Sequence, residues 1–232
     1  MSRIASPYVN AGNPLVLAMI PEGTRRVLDV GCGAGDNARC LREAYPGIEI
    51  VGLTHSEEEA SIARAHMNAV HVIDLERGLT DEAMDEWGAS FDLVIFSHVL
   101  EHLTDPVTVV LRCLSRLKLG GYVLIAVPNV LEWRTRLKFL RGIFEYTDHG
   151  ILDRTHMRFF TYDSAPIELI EPIAGLELVK HRGRGSVPLG PLRMLRVARG
   201  LWAVIDRFGA RRKPNLCAVE TVLLARWLGS VN

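Results

Sequence analysis

Two stretches of this chain hold residues whose types and spacing could do chemistry. The first is VLDVGCGAG at 27–35, in which Asp29 is followed by Gly31, Cys32, Gly33, Ala34 and Gly35. Glycine reaches positive φ and lets a ligand approach the backbone closely. A helix starting behind such a turn offers free N–H groups and a positive dipole end to an anionic group. A dinucleotide fingerprint would need a further glycine at 36, where the chain has Asp36, so the spacing argues against a nicotinamide cofactor.

The second stretch, GIFEYTDHGILDRTHMRFFT at 142–161, concentrates histidine, aspartate, arginine and aromatic residues. A histidine near its ordinary pKa can accept a proton from a hydroxyl, and His156 is the first choice for that role. Asp153 is its orienter or a substrate partner, with His149 and His98 in reserve. Arg154 and Arg158 could grip a carboxylate or phosphate on an acceptor. The blander alternative is that Asp153, Arg154 and Arg158 pair among themselves and pin the segment down, with Phe159 and Phe160 in the core. His102 reads as a buried structural histidine. No cluster has metal-ligand spacing, and no metal is expected.

Both stretches must be positioned by a scaffold. From 26 to about 128, short apolar runs alternate with helical patterns, the mark of a parallel sheet with crossover helices. Strands are expected at 26–30, 48–53, 69–73, 91–97 and 122–129, the fourth being continuously apolar as a doubly covered strand should be. Helices are expected at 38–45, at 56–67 with Ser56 and Glu59 as a capping box, and at 106–118 from Pro106 to the Gly120-Gly121 stop. A basic helix at 130–142 opens the insertion, and a helix at 162–175 closes it. Strands at 176–181 and 217–227 flank a Gly/Pro linker and a helix at 192–208. The fold class is α/β, a doubly wound and mostly parallel seven-stranded sheet forming one domain. Its parts are an N-terminal helix at 1–25, a cofactor core at 26–129, an acceptor-site insertion at 130–162 and a C-terminal helix–strand part at 163–232.

These features together resemble the class I S-adenosylmethionine-dependent methyltransferases over about residues 8–182. VLDVGCGAG resembles their first motif, which implies that Asp29, Gly31, Cys32, Gly33 and Gly35 wrap the methionine part of the cofactor. IDLERG at 73–78 resembles the segment after the third strand, which implies that Asp74 and Leu75 meet the adenine. FDLVIFSHVLEHLTDP resembles the fourth-strand motif, with Ser97 and His98 at its cofactor end. The family usually has an acid at the end of the second strand; this chain has Thr54, and Thr54 with Glu59 would share the ribose, His55 or Glu57 being alternatives. SPYVN at 6–10 resembles the entry segment of related enzymes, with Tyr8 as a lid. The 142–161 block resembles that of bacterial methyltransferases acting on surface polysaccharides, quinones and secondary metabolites.

The resemblance implies transfer of a methyl group to a small molecule, leaving S-adenosylhomocysteine. A hydroxyl acceptor is expected first. Methylation of an amino sugar or heteroaromatic nitrogen is the alternative, and a cofactor-binding scaffold without turnover is the alternative of another class. Lys plus Arg and Asp plus Glu are each 27, so net charge is zero and gives no case for nucleic acid. Scattered cysteines and the lack of a long apolar run fit a cytoplasmic protein, monomeric or homodimeric. Along 192–208, Arg193, Arg196, Arg199 and Arg207 fall on one helical face, opposite Leu195, Leu201, Trp202, Ile205 and Phe208. With Arg211, Arg212 and Lys213, this stretch could touch an anionic membrane, or simply pack its apolar face on the domain.

Overall fold

Strands covered on both faces must be apolar throughout, and the central strands here obey that rule. In the computed structural model, which describes residues 12–189 and 199–229, β1 (Arg26–Val30), β2 (Glu49–Thr54) and β4 (Phe91–Ser97) are buried almost end to end. β5 (Leu117–Pro128) is buried from Val123 to Val127. With β3 (Ala69–Val72), β6 (Leu176–Gly185) and β7 (Ala218–Trp227) they form one sheet of order β3-β2-β1-β4-β5-β7-β6. Only β7 runs antiparallel to its neighbours, β5 and β6. The fold is the mostly parallel seven-stranded sheet expected from the sequence. Tyr8, Arg193 and Arg196 lie outside the described residues.

Two cores sandwich this sheet. On one face α1 (Pro14–Leu17), α2 (Asp36–Ala44) and α3 (Glu57–Ala63) pack Val16, Leu41 and Ala63 against Ile50, Ile95 and Leu124. On the other, α4 (Asp81–Trp87), α5 (Pro106–Leu114) and, beyond α6 (Trp133–Leu140) in the chain, α7 (Ser164–Leu169) pack Trp87, Val110 and Leu169 against Leu28, Val94 and Phe96. β1 pairs with β2 on one side and with β4 on the other, so the strand order reverses there. Ligand crevices of open α/β sheets form at the carboxyl ends of strands at such a reversal.

Several elements differ from the sequence expectation for local reasons. The helix from Pro106 ends at Leu114, because the Ser115 and Arg116 amides close onto the Arg112 and Cys113 carbonyls three residues back. Arg116 then accepts the Phe91 amide, and the chain enters β5 before the glycine pair. α4 was not anticipated, although Thr80 caps it by accepting the Ala83 amide and Gly88 ends it at φ 73°. Ser56 caps α3 through the Glu59 amide, but the Glu59 carboxylate turns to Thr54, so only half the capping box forms. In α8 (Arg199–Arg212) Trp202, Ile205, Gly209 and Ala210 face inward, while Leu201 and Phe208 stand exposed with Val204. The packing face is rotated from the expected one because Asp206 joins it, accepting the Val187 amide. None of the four cysteines is in a disulfide. Among the described residues, no helix is long and apolar enough to cross a membrane.

Phe96 lies fully buried in the central strand, among the largest side chains of the core. Phe96→Ala should lower stability by about 3–5 kcal/mol, read as a shift in the denaturant midpoint with an unchanged slope; a loss below 1 kcal/mol would contradict the packing described.

Candidate active site

β1, β2 and β4 end level with one another, since Val30 is paired with Leu53 on one side and Phe96 on the other. Gly31, Thr54 and Ser97 therefore stand along a single rim. Gly31, Gly33 and Gly35 take φ of 72°, 54° and 83°, which favours glycine at each. At Gly31 the demand is also steric, because a Cβ would lie 2.6 Å from the Val99 side chain. The Cys32 amide donates to Leu53 O at 2.9 Å, pinning the turn to β2. Gly35 caps α2 without a side-chain bond to the helix's first amides.

Asp29, the acid just before this turn, is 1% exposed, and neither of its oxygens has a hydrogen-bond partner. Burial pushes its carboxyl up to about 7. A buried carboxylate without a partner is costly, and a cationic group bound at the rim would relieve that cost. Burial, followed by the nearby charges of Asp29 and Glu59, pushes the Cys32 thiol upward, so Cys32 stays a neutral wall.

Further along the rim, buried Thr54 donates to Glu59 Oε2 at 2.8 Å, making one polar unit of the two residues. His55 is exposed, and Glu57 is paired with Arg64 at 2.7 Å. Asp74 is exposed and turns the chain by accepting the Glu76 amide at 2.9 Å, while the partly buried Leu75 packs on the core.

Past Ser97, His98 takes φ 56°, a left-handed corner that is uncommon for a side-chain residue. Its ring is bracketed by carboxylates, Nδ1 at 3.3 Å from Glu101 and Nε2 at 2.9 Å from Glu220. Burial alone would lower its pKa, but these two partners outweigh burial and raise it to about 10. His98 is thus an imidazolium with both nitrogens engaged, which removes it from the reserve of bases. Glu220 also accepts from Asn13 Nδ2 at 2.7 Å and from Arg184 Nε at 2.5 Å. Burial pushes Glu220 up, yet His98 and Arg184 hold it below its ordinary value.

The insertion sits on the 3₁₀ turn Leu100–His102 that follows. Met157 and Arg158 donate their amides to Glu101 O at 2.8 and 3.0 Å, and Val130 donates to Phe160 O. His156 lies edge-on to His102 with ring centroids 4.7 Å apart. Its Nδ1 meets the Ile151 carbonyl at 3.1 Å, so that nitrogen carries the proton and Nε2 keeps a lone pair. Glu101, His102 and His156 bring one ligand atom each within 4.8 Å of one another, a grouping that chain spacing concealed and that has the makings of a cation site.

A model of the methyltransferase domain matches residues 6–165. The chain belongs to that family. It is 33% identical over 193 residues to the ubiquinone biosynthesis O-methyltransferase of Bordetella bronchiseptica, covering 78% of this chain and 76% of the relative. The enzyme of the same name from Paracidovorax citrulli is 37% identical over 186 residues, covering 76% and 75%. Among solved structures, a SAM-dependent methyltransferase from Archaeoglobus fulgidus superposes with a TM-score of 0.57 at 22% identity, covering 88% of this chain and 87% of that one. The protein is an S-adenosylmethionine-dependent methyltransferase, and the orphaned Asp29 beside the glycine turn suits the cofactor's cationic ammonium group.

The fold brings Asp29, the glycine turn, Thr54, Glu59, Ser97 and His98 to one rim, and Asp74 and Leu75 follow β3 at the same end of the sheet. It treats the insertion differently from the catalytic expectation. Asp153 does not orient the His156 ring: its Oδ1 accepts from the Thr155 amide and hydroxyl, and the Ile151 carbonyl holds the imidazole. Burial pushes Asp153 up, but the Thr155 bonds outweigh it and leave the carboxyl below its ordinary range. Arg154 pairs with Asp148 on the surface, and Arg158 gives Nε and Nη2 to Thr104 O. His149 is exposed. Sequence reasoning missed Asn13, Glu220 and Arg184, whose partners are far away along the chain. The only local sign was a single acid inside the apolar run AVETVLLA.

Asp29 generates a stability test. Its carboxyl titrates higher in the folded chain than in the unfolded one, where about 4 is usual. The folded state therefore binds the extra proton, and stability falls as pH rises from about 4 to about 7. Ligand-free Asp29→Asn should melt several degrees above wild type at pH 8, with the gap closing toward pH 4; equal melting at pH 8 would mean that the carboxylate is paired.

Proposed function

We propose that this methyltransferase methylates a phenolic hydroxyl on a small molecule of the kind built into quinones, with His156 as general base. The observation that carries the base is the Ile151 contact, which fixes the imidazole tautomer and leaves Nε2 free to accept a proton. The acceptor class is supported by the names of the relatives, which are ubiquinone biosynthesis O-methyltransferases. That support favours the quinone-like part of the acceptor pool over secondary metabolites.

S-adenosylmethionine supplies a methyl group on a sulfonium, and the remaining work falls to the chain. Asp29 and the glycine turn hold the methionine end, Thr54 with Glu59 the ribose, and Asp74 with Leu75 the adenine. Ser97 and His98 form the floor between donor and acceptor. His156 would take the proton of the acceptor hydroxyl, so that the oxygen is ready for the methyl group the bound cofactor would supply. Alignment of acceptor, methyl and sulfur supplies much of the rate, since orientation can be worth several kcal/mol.

The reaction is placed in the cytoplasm, at the membrane surface where quinone precursors partition. Exposed Leu201, Val204 and Phe208 on α8, followed by Arg211 and Arg212, support that placement.

With a catechol-type acceptor, His156→Ala should lower kcat by roughly 10²–10⁴-fold while calorimetry shows nearly unchanged S-adenosylhomocysteine binding. An active variant would return His156 to structure. Flotation with phosphatidylglycerol vesicles should retain the wild type and lose a Leu201→Ser/Phe208→Ser variant; equal recovery of both would remove the membrane contact.

A further inference from the structure

The two arginines expected to grip the acceptor are committed elsewhere, Arg154 to Asp148 and Arg158 to Thr104. His98 has neither nitrogen to spare. A third cation stands at the same rim. Arg184 stands next to last in β6, paired with Glu220 of β7, and Glu220 in turn is paired with Pro128 at the carboxyl end of β5. We propose that Arg184 is the anion-recognition residue of the acceptor site, its guanidinium set by Glu220 to receive a carboxylate or phosphate group on the acceptor. This rests on the reading of the rim as the site of hydroxyl methylation, and it specifies the acceptor as acidic.

Three features separate Arg184 from an ordinary surface arginine. The first is its anchor. Glu220 is 4% exposed at its side chain and takes Arg184 through Nε alone, while Asn13 and His98 occupy its other oxygen. A surface ion pair loses its worth to side-chain entropy, but an arginine held at Nε by a fixed carboxylate has that entropy already removed. The second is its free end. Among the described residues neither Nη atom of Arg184 has a partner, and the side chain is 57% exposed, so the outer edge of the fork is open. That edge is the geometry that takes two oxygens of one anion.

The third feature is its setting. Gly183 and Gly185 flank Arg184; a Cβ on Gly183 would lie 2.7 Å from Ala218 Cβ, and one on Gly185 would overlap the Cys217 carbonyl. The strand is thus drawn tightly against β7, which fixes the backbone that carries the arginine. Exposed Lys180 and Arg182 alternate with it on the same face of β6 and raise the local positive potential. Glu220 bridges Arg184 directly to His98, so the fork stands one carboxylate away from the floor of the methyl-transfer site. A phenol anchored there by its acidic group would extend its hydroxyl along the rim toward the donor.

The test uses the full chain saturated with S-adenosylhomocysteine. Calorimetry would compare 3,4-dihydroxybenzoate, phenyl phosphate and the uncharged catechol on wild type, Arg184→Gln, Arg184→Lys and Arg182→Gln. The expected result is tighter binding of an anion than of catechol by wild type, weakened about ten- to a hundredfold in Arg184→Gln. Arg184→Lys should recover part of it, Arg182→Gln should retain it, and catechol should bind all four proteins alike. Whether the benzoate or the phosphate binds tighter identifies the acidic group. Glu220→Gln should raise KM for 3,4-dihydroxybenzoate more than for catechol, as expected of a residue that positions Arg184. Failure of wild type to prefer either anion, or equal anion binding by wild type and Arg184→Gln, would overturn the proposal. So would an equal loss in Arg182→Gln, which would show a diffuse field rather than a fork. Methyl-transfer assays on the two catechols separate the underlying reading: anion binding at Arg184 without turnover of either would refute hydroxyl methylation and leave the anion site standing.

Discussion

Gly31 and Val99 approach so closely that one methyl group between them does not fit. Much of the functional rim depends on that contact. It holds the turn after β1 against the segment after β4, closing the reversal point of the sheet into a floor. Val99 reaches Gly31 because His98 before it turns the chain through a left-handed corner. The same corner starts the 3₁₀ turn, whose Glu101 carbonyl receives the insertion. A steric constraint of a few ångströms thus fixes the donor turn, the imidazolium and the position of His156 together.

Buried charge is handled in two opposite ways within this small region. Asp29 is sequestered without a partner, a costly arrangement that a bound cation relieves. Glu220 is saturated by an amide, an imidazolium and a guanidinium drawn from three separate elements. The first is a site that binding completes. The second is a framework finished before binding, which holds polar groups rigidly where charge must be recognised. Folding thus saturates Glu220 but leaves Asp29 without a partner and buried Glu101 with no hydrogen bond beyond its 3.3 Å ion contact to His98.

Much of this was legible in the sequence, for identifiable reasons. Positive-φ glycines and doubly buried strands leave local marks, so the donor turn and the sheet could be read residue by residue. Thr54 and Glu59, five positions apart, were paired by the family resemblance, and the structure joins them in one hydrogen bond. The Asn13–Glu220 bond spans 207 residues and the His98–Glu220 contact 122, and no periodicity carries a contact of that range. In the insertion the residue types were informative but their partners were not. Arginine, aspartate and histidine serve equally well as ligands or as braces, and backbone carbonyls at Ile151 and Thr104, invisible in any motif, decided which. On α8 the helical wheel gave the period but not the rotation, which a single Asp206 bond to Val187 sets.

The central claim is that this rim moves a methyl group onto oxygen. The most direct measurement is carbon NMR of the product formed from S-adenosylmethionine labelled in its methyl carbon and a catechol acceptor. One methoxy carbon per S-adenosylhomocysteine released is the result expected. Label found on nitrogen or on ring carbon, or S-adenosylhomocysteine released with no labelled acceptor, would contradict it.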